Sequence, residues 1–328
     1  MKDFKIPTHT EQVIPQVQNL FKSIVLLGLL GGSFVWAQTG VNVIDNYLFD
    51  GIDGVQFVCK WAFVLVLALI NAVLIVGIAM QGHEATHRLL FNNQFWNDWW
   101  GGILTAFSLV PFYAFREFHL THHSYTHQPG VDPEEPVNHN RPFFSIFTVG
   151  SMIGLGTHYK TLVTNLLSGS TKRYGGLKDV FFLSVAGVFY FLIVPIAGIS
   201  LWYTVVPTLL LVPLVFTVRS VSEHHAIPPL VKQSTNQSEK LNINSWIVLT
   251  NPVITWLWSN VNYHQVHHRY PYLSHRYFPA IFQATQGKQP YLVLNGYFQA
   301  LMNLKSRPYY GSYEDLKPFL KNELATNV

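Results

Sequence analysis

Long apolar runs separated by short polar connectors set the plan of this chain. Ser23–Trp36, extending to about Thr39, begins the first run, and Gln56–Met80 is the second and strongest, interrupted by Lys60 near its start and by Asn71. Asp179–Ile199 and Leu201–Val218 form a third and a fourth, the last carrying Pro207 and Pro213, which are expected to bend it. About 20 mostly apolar residues cross a bilayer as a helix, so four spans are expected. Trp99–Phe115 and Phe143–Gly156 are also apolar, but glycines and Pro111 interrupt them, and they are expected to be re-entrant or interfacial. The predicted fold class is therefore all-α: a polytopic membrane bundle. Residues 1–22 form an N-terminal cytoplasmic segment, 23–306 the membrane domain and 307–328 a soluble tail.

Composition agrees with this reading. Hydrophobic residues make up 49% of the chain and charged residues only 12%, about half the usual share for a soluble domain. The formal charge of +4 is not gathered into a basic stripe, so nucleic acid is not an expected partner. The single Cys59 excludes an intramolecular disulfide framework and is expected to be a small buried hydrophobe. Met1–Gln18 is polar and has no signal-peptide core. The connector Gln38–Val55 carries aspartates but no Lys or Arg, whereas the segments holding Arg88, Arg116, Lys172, Arg219 and Arg269 are basic. The positive-inside rule then places both termini and those basic segments in the cytoplasm.

The chemistry lies in the histidines. Among fifteen, three clusters stand out: His83-Glu-Ala-Thr-His87, His119-Leu-Thr-His122-His123 and His264-Gln-Val-His267-His268. Positions i, i+3 and i+4 share a helix face, so each cluster can present its rings together. Neutral imidazole is a good ligand for first-row metals, and eight rings exceed the needs of one ion, so two ions are expected. Each cluster follows an apolar run or a re-entrant segment and returns to one membrane face. His224, at the emerging end of the fourth run, is a ninth candidate, preferred to His225. Glu84 and Glu223 neighbour candidate ligands and either orient an imidazole or face solvent. Asn260 and Asn262 bridge through water or cap. Asp132 either holds a histidine or simply shapes a turn. His127 is expected to be exposed, and His9, His139, His158 and His275 to be surface or interfacial residues.

The order HxxxH, HxxHH, helical hairpin, HxxHH over Gln81–His275 resembles the integral-membrane fatty acid desaturases and their hydroxylase relatives. The stretches around His83 and His122 through Asp132 look like bacterial or cyanobacterial members. The resemblance implies two irons held by the histidine boxes and by His224, dioxygen as oxidant, a lipid or acyl substrate, and electrons from a separate ferredoxin or cytochrome b5 system. No haem motif HPGG is present. Three residues separate the histidines of the first box, which favours an acyl-lipid or acyl-carrier substrate over acyl-CoA. Carotenoid or acyl hydroxylases and ketolases are the alternative within that family. An intramembrane zinc protease using His83-Glu84-x-x-His87 is a distant alternative that leaves both HxxHH boxes unexplained.

Overall fold

The computed structural model describes residues 5–48, 53–139, 141–229, 243–305 and 309–320. The surface loop expected at Lys232–Lys240 lies outside them. Four helices are long and apolar enough to cross a membrane: α1 (Gln16–Tyr47), α2 (Asp53–Thr86), and the later helices Ser170–Ile196 and Val205–His224. The chain is an integral membrane protein with an all-α bundle. Between α2 and the third span run α3 (Gln94–Ala106), α4 (Phe112–Tyr125) and α5 (Ser151–Leu167). We call the third and fourth spans α6 (Ser170–Ile196) and α7 (Val205–His224). Beyond them lie the short helices α8 (Pro252–Leu257), α9 (His264–Arg269), α10 (Phe278–Thr285) and α11 (Tyr297–Lys305).

The spans exceed the apolar runs that foretell them. At 1.5 Å per residue the 34 residues of α2 run about 51 Å, against a hydrocarbon core of about 30 Å. The helix is thus longer than the hydrocarbon core requires, and its C-terminal end carries His83, the first histidine of the first box. The fourth span begins at Val205 rather than Leu201, which places Pro207 in its first turn, where the missing N–H leaves no helical bond unmade; Pro213 alone lies inside the helix. Cys59 is half-buried rather than buried, on a part of α2 that is largely exposed in the protein.

Between α3 and α4 the chain reverses at Phe107–Pro111. Leu109 there takes a left-handed φ of 57°, and Pro111 caps the start of α4. Tyr190 of the third span anchors this reversal by donating its hydroxyl proton to Phe107 O at 2.8 Å. Contact between α2 and α3 needs bare backbone: a Cβ at Gly82 would collide with the Thr105 side chain, and one at Gly101 with Ala85. Close packing through small residues of this kind is usual among membrane helices.

Over the end of the bundle sits a cap of short elements. A two-residue parallel pairing joins β1 (Ile247–Val248) to β2 (Val293–Leu294), with Ile247 opposite Val293. Val266, Leu273, Phe278, Ile281 and Tyr291 are buried together around it. The described part of the C-terminal segment packs there too, with Tyr310 bridging to Ile227 and Leu316 fully buried beside Trp246 and Leu292.

Candidate metal centre

Four separate stretches bring histidines to one place beneath this cap. The end of α2 carries His83, α4 carries the HxxHH box, and α7 ends on His224. The third box forms α9, six residues long and too short to stand alone. It is held from outside. Gln265, within the box, donates to Pro290 O at 3.0 Å and accepts from Leu292 N at 2.8 Å, and Asn262 donates to Val248 O at 3.1 Å. Asn260 donates to His275 O at 3.0 Å, so both asparagines brace backbone rather than cap a helix. Lys22 of α1 adds hydrogen bonds to Trp256 O and to Ser259 Oγ, just ahead of the box.

The rings fall into two groups. Ligating nitrogens of His83, His87, His119, His123 and His267 lie within 4.8 Å of one another, as do those of His122, His224 and His268. His264 joins the second group, its Nε2 being 2.8 Å from His224 Nε2 and 3.1 Å from His268 Nε2. The two HxxHH boxes are divided in opposite senses. α4 gives its i and i+4 histidines to the first group and the i+3 ring to the second; α9 gives i and i+4 to the second and i+3 to the first. The spacing so places each of these helices between the two groups of rings. His224, not His225, faces the rings: its Nε2 is also 3.3 Å from His122 Nε2, whereas His225 lies toward Tyr309.

These distances suit metal ions. Two nitrogens about 2.1 Å from one ion and at right angles are about 3.0 Å apart. The Nε2 pairs His87–His119, His119–His123 and His123–His267 measure 2.8, 3.0 and 2.9 Å. Both ring nitrogens of His83 are buried without a hydrogen-bond partner, an arrangement a bound cation would resolve. Burial also keeps the rings neutral. It pushes His119, His123, His264, His267 and His268 well below the usual imidazole range, and with Arg116 it pushes His87 down to about 3. Neutral rings are the form that can ligate a metal.

His122 differs. Burial would lower its pKa, but the carboxylates of Asp132 and Glu134 outweigh burial and raise it to about 9. Asp132 is buried; its Oδ1 lies 2.9 Å from His122 Nδ1 and accepts from Glu134 N at 2.9 Å, while Oδ2 accepts from His127 N at 2.7 Å. Of the two roles open to it, Asp132 fills both. His264 also has a carboxylate nearby, its Nδ1 lying 3.3 Å from Glu223 Oε2, without a hydrogen bond between them. That carboxylate is also paired with Arg219 at 2.7 Å. Glu223 thus reaches across to another helix instead of serving its neighbour His224. Glu84 is buried as well: it is 3.8 Å from His83 Nδ1 and accepts from His275 N at 3.2 Å. Neither glutamate faces solvent.

Two further expectations require correction. His127 is fully buried rather than exposed: its backbone folds around Asp132 with a φ of 57°, and its ring is covered by Tyr309. His158 is buried rather than at the surface, packed against Phe115 and Phe118 with ring centroids 5.6 and 4.7 Å away. It lines a cavity that leads from the histidines into the bundle. The cavity is lined by His83, His119, His122, His224 and His264 together with the apolar Val110, Phe115, Leu155, Val212 and Phe216. Glu134, which sequence reasoning passed over, lines the same cavity, as do Arg219, read there only as a basic residue, and His158. For Glu134 a signal existed, since it lies within a tight acidic loop just after the second box; the other two look like ordinary polar positions in apolar helices.

Comparison with known proteins points to one family. A curated relative, the sn-1 oleoyl-lipid 12-desaturase of Arthrospira platensis, is 29% identical over 93 residues, which cover 28% of this chain and 26% of that protein. The match therefore spans about a quarter of the relative's length. Residues 60–296, holding most of α2, all that follows to β2 and every histidine of both groups, match the fatty acid desaturase family, and the chain belongs to that family.

Proposed function

We propose that this protein is a membrane-bound, dioxygen-dependent lipid oxidoreductase that introduces a double bond into a fatty acyl chain carried on a lipid or an acyl carrier. The observation that carries the reading is the division of nine histidines into groups of five and four at the inner end of an apolar cavity. His83, His87, His119, His123 and His267 would hold one iron, and His122, His224, His264 and His268 the other. Two irons would supply the chemistry of dioxygen activation. The balance is two hydrogens from adjacent carbons, one dioxygen, two protons and two electrons, giving an alkene and two waters. A separate ferredoxin or cytochrome b5 protein would supply the electrons.

The chain's own side chains do the positioning. Val110, Phe115, Leu155, Val212 and Phe216 give an acyl chain an apolar wall, exclude water and fix which carbons lie beneath the histidines. Asp132 orients His122 through the ring nitrogen that faces away from its group, which fixes the tautomer and raises ligand basicity. The basic segments support a cytoplasmic position for the centre and both termini. A peptidase built on Glu84 finds no support in a carboxylate engaged with the His275 backbone.

Expression in a host of known lipid profile, followed by mass spectrometry of fatty acids and pigments, tests the assignment. A new unsaturated acyl chain is expected. A hydroxylated chain or an oxidised carotenoid as the sole product would replace desaturation with the hydroxylase or ketolase reading.

A further inference from the structure

The nine histidines do not share the donors equally, and the shortfall falls on the second group. Besides Asp132 and Glu223, which lie against the Nδ1 atoms of His122 and His264, a third carboxylate stands on the Nε2 side of that group. Glu134 Oε2 is 4.0 Å from His224 Nε2, and its sibling Oε1 accepts from Ser220 Oγ at 3.3 Å. Oε2 itself is buried and has no hydrogen-bond partner. Two donors about 2.1 Å from one first-row ion can be at most about 4.2 Å apart, so one ion can touch both atoms. Glu134 also borders the cavity beside His122, His224 and His264. Its backbone is pinned by the Asp132 carboxylate that holds His122, so ring and carboxylate are set by one loop. A buried carboxylate oxygen without a partner is costly, and a cation is the partner that would satisfy it.

We propose that Glu134 is a carboxylate ligand of the second metal ion, completing five protein donors there to match the five imidazoles of the first. The assignment rests on the two-iron reading. It makes the two ions chemically unlike, one with nitrogen donors alone and the other with four nitrogens and a hard oxygen. Loss of Glu134 would therefore weaken one site and spare the other.

Anaerobic reconstitution of the full chain with Mössbauer-active ferrous iron tests this, read as iron per chain and as the two quadrupole doublets. Wild type is expected to take up about two irons in two doublets of equal area. Glu134→Gln keeps shape and the Ser220 contact. It should move or remove one doublet, leave the other in place, and lower affinity for one iron by more than tenfold, beyond the lower end of the roughly 10–100-fold losses seen when an outer hydrogen-bond partner is removed. Glu134→His restores a donor and should recover the second iron. Ser220→Ala, which removes only the supporting hydrogen bond, should leave both doublets unchanged. Two unaltered doublets and full iron content in Glu134→Gln would overturn the assignment while leaving two irons standing. A wild-type protein that takes up a single iron overturns the two-iron reading itself, and this ligand with it.

Discussion

Replacing Asp132 by Asn probes how the loop after the second box serves the centre. Asn keeps the shape but removes the charge that faces His122 Nδ1 at 2.9 Å and receives two backbone N–H groups. In the metal-free protein His122 is raised from 6.5 to about 9, which corresponds to about 3 kcal/mol. Because the folded-state value is the higher one, that stability is fully present below pH 6.5 and lost as pH rises through about 9. Metal-free Asp132→Asn should thus be less stable than wild type by about 2–3 kcal/mol near pH 6, with the gap narrowing towards pH 9. Iron binding carries the opposite sign. His122 must lose a proton to ligate, so wild-type affinity at the second group should rise about tenfold per pH unit up to about 9. At pH 9 proton competition has faded, and losing the carboxylate should weaken iron there by about 10–100-fold. Thermal unfolding in detergent across pH 6–9 and anaerobic iron titration at pH 9 measure the two effects. A pH-independent stability gap together with unchanged iron affinity would refute the role assigned to Asp132.

Ala at any of His83, His87, His119, His122, His123, His224, His264, His267 or His268 should abolish turnover, whereas His9→Ala should not; product yield in the expression host reads both. His158→Ala should lower stability by a few kcal/mol through a cavity beside Phe115 and Phe118, seen as a fall in Tm. Glu223→Gln leaves the buried Arg219 unpaired and should cost about 3–5 kcal/mol while retaining measurable turnover. For orientation, cysteines in a Cys59→Ser background at Ser124, which is exposed, and at Tyr272, which is 38% exposed, should label from the cytoplasmic side, and one at Asn46 from the other. Ser274 is unsuitable because it is fully buried; labelling of positions 124 and 272 from opposite faces would break the single-site arrangement.

The bundle was legible because lipid imposes a long, unmistakable period: four apolar runs became four helices, whose ends were misjudged where polar residues such as Gln16 and His224 continue the helix and where the fourth starts at Val205 rather than Leu201. The boxes were legible because three-dimensional convergence needs i, i+3 and i+4, a pattern that survives in one dimension. What sequence hides is the partner across space. Nothing near Glu223 says that it lies against His264, 41 positions away, instead of the ring next to it. His127 and His158 read as ordinary polar residues because their burial comes from distant chain, Tyr309 in one case and Phe115 and Phe118 in the other. The third box gives no hint that its helix lasts six residues and leans on a two-residue strand.

One contact within the bundle bears on how such proteins can be recombined. Asp179 of α6 accepts the backbone N–H groups of Tyr113 and Ala114 at 2.8 and 3.1 Å, so the start of the helix carrying the second box is gripped by a residue about 65 positions downstream. The carboxylate completes the dangling donors of that first turn and thereby sets the helix's rotation about its own axis, which decides which rings turn towards which group. A graft that brings a foreign α4 without its matching α6, or the reverse, would leave the hinge intact and the compass wrong. Exchange of substrate-binding parts between relatives should therefore treat these two helices as a single unit of inheritance.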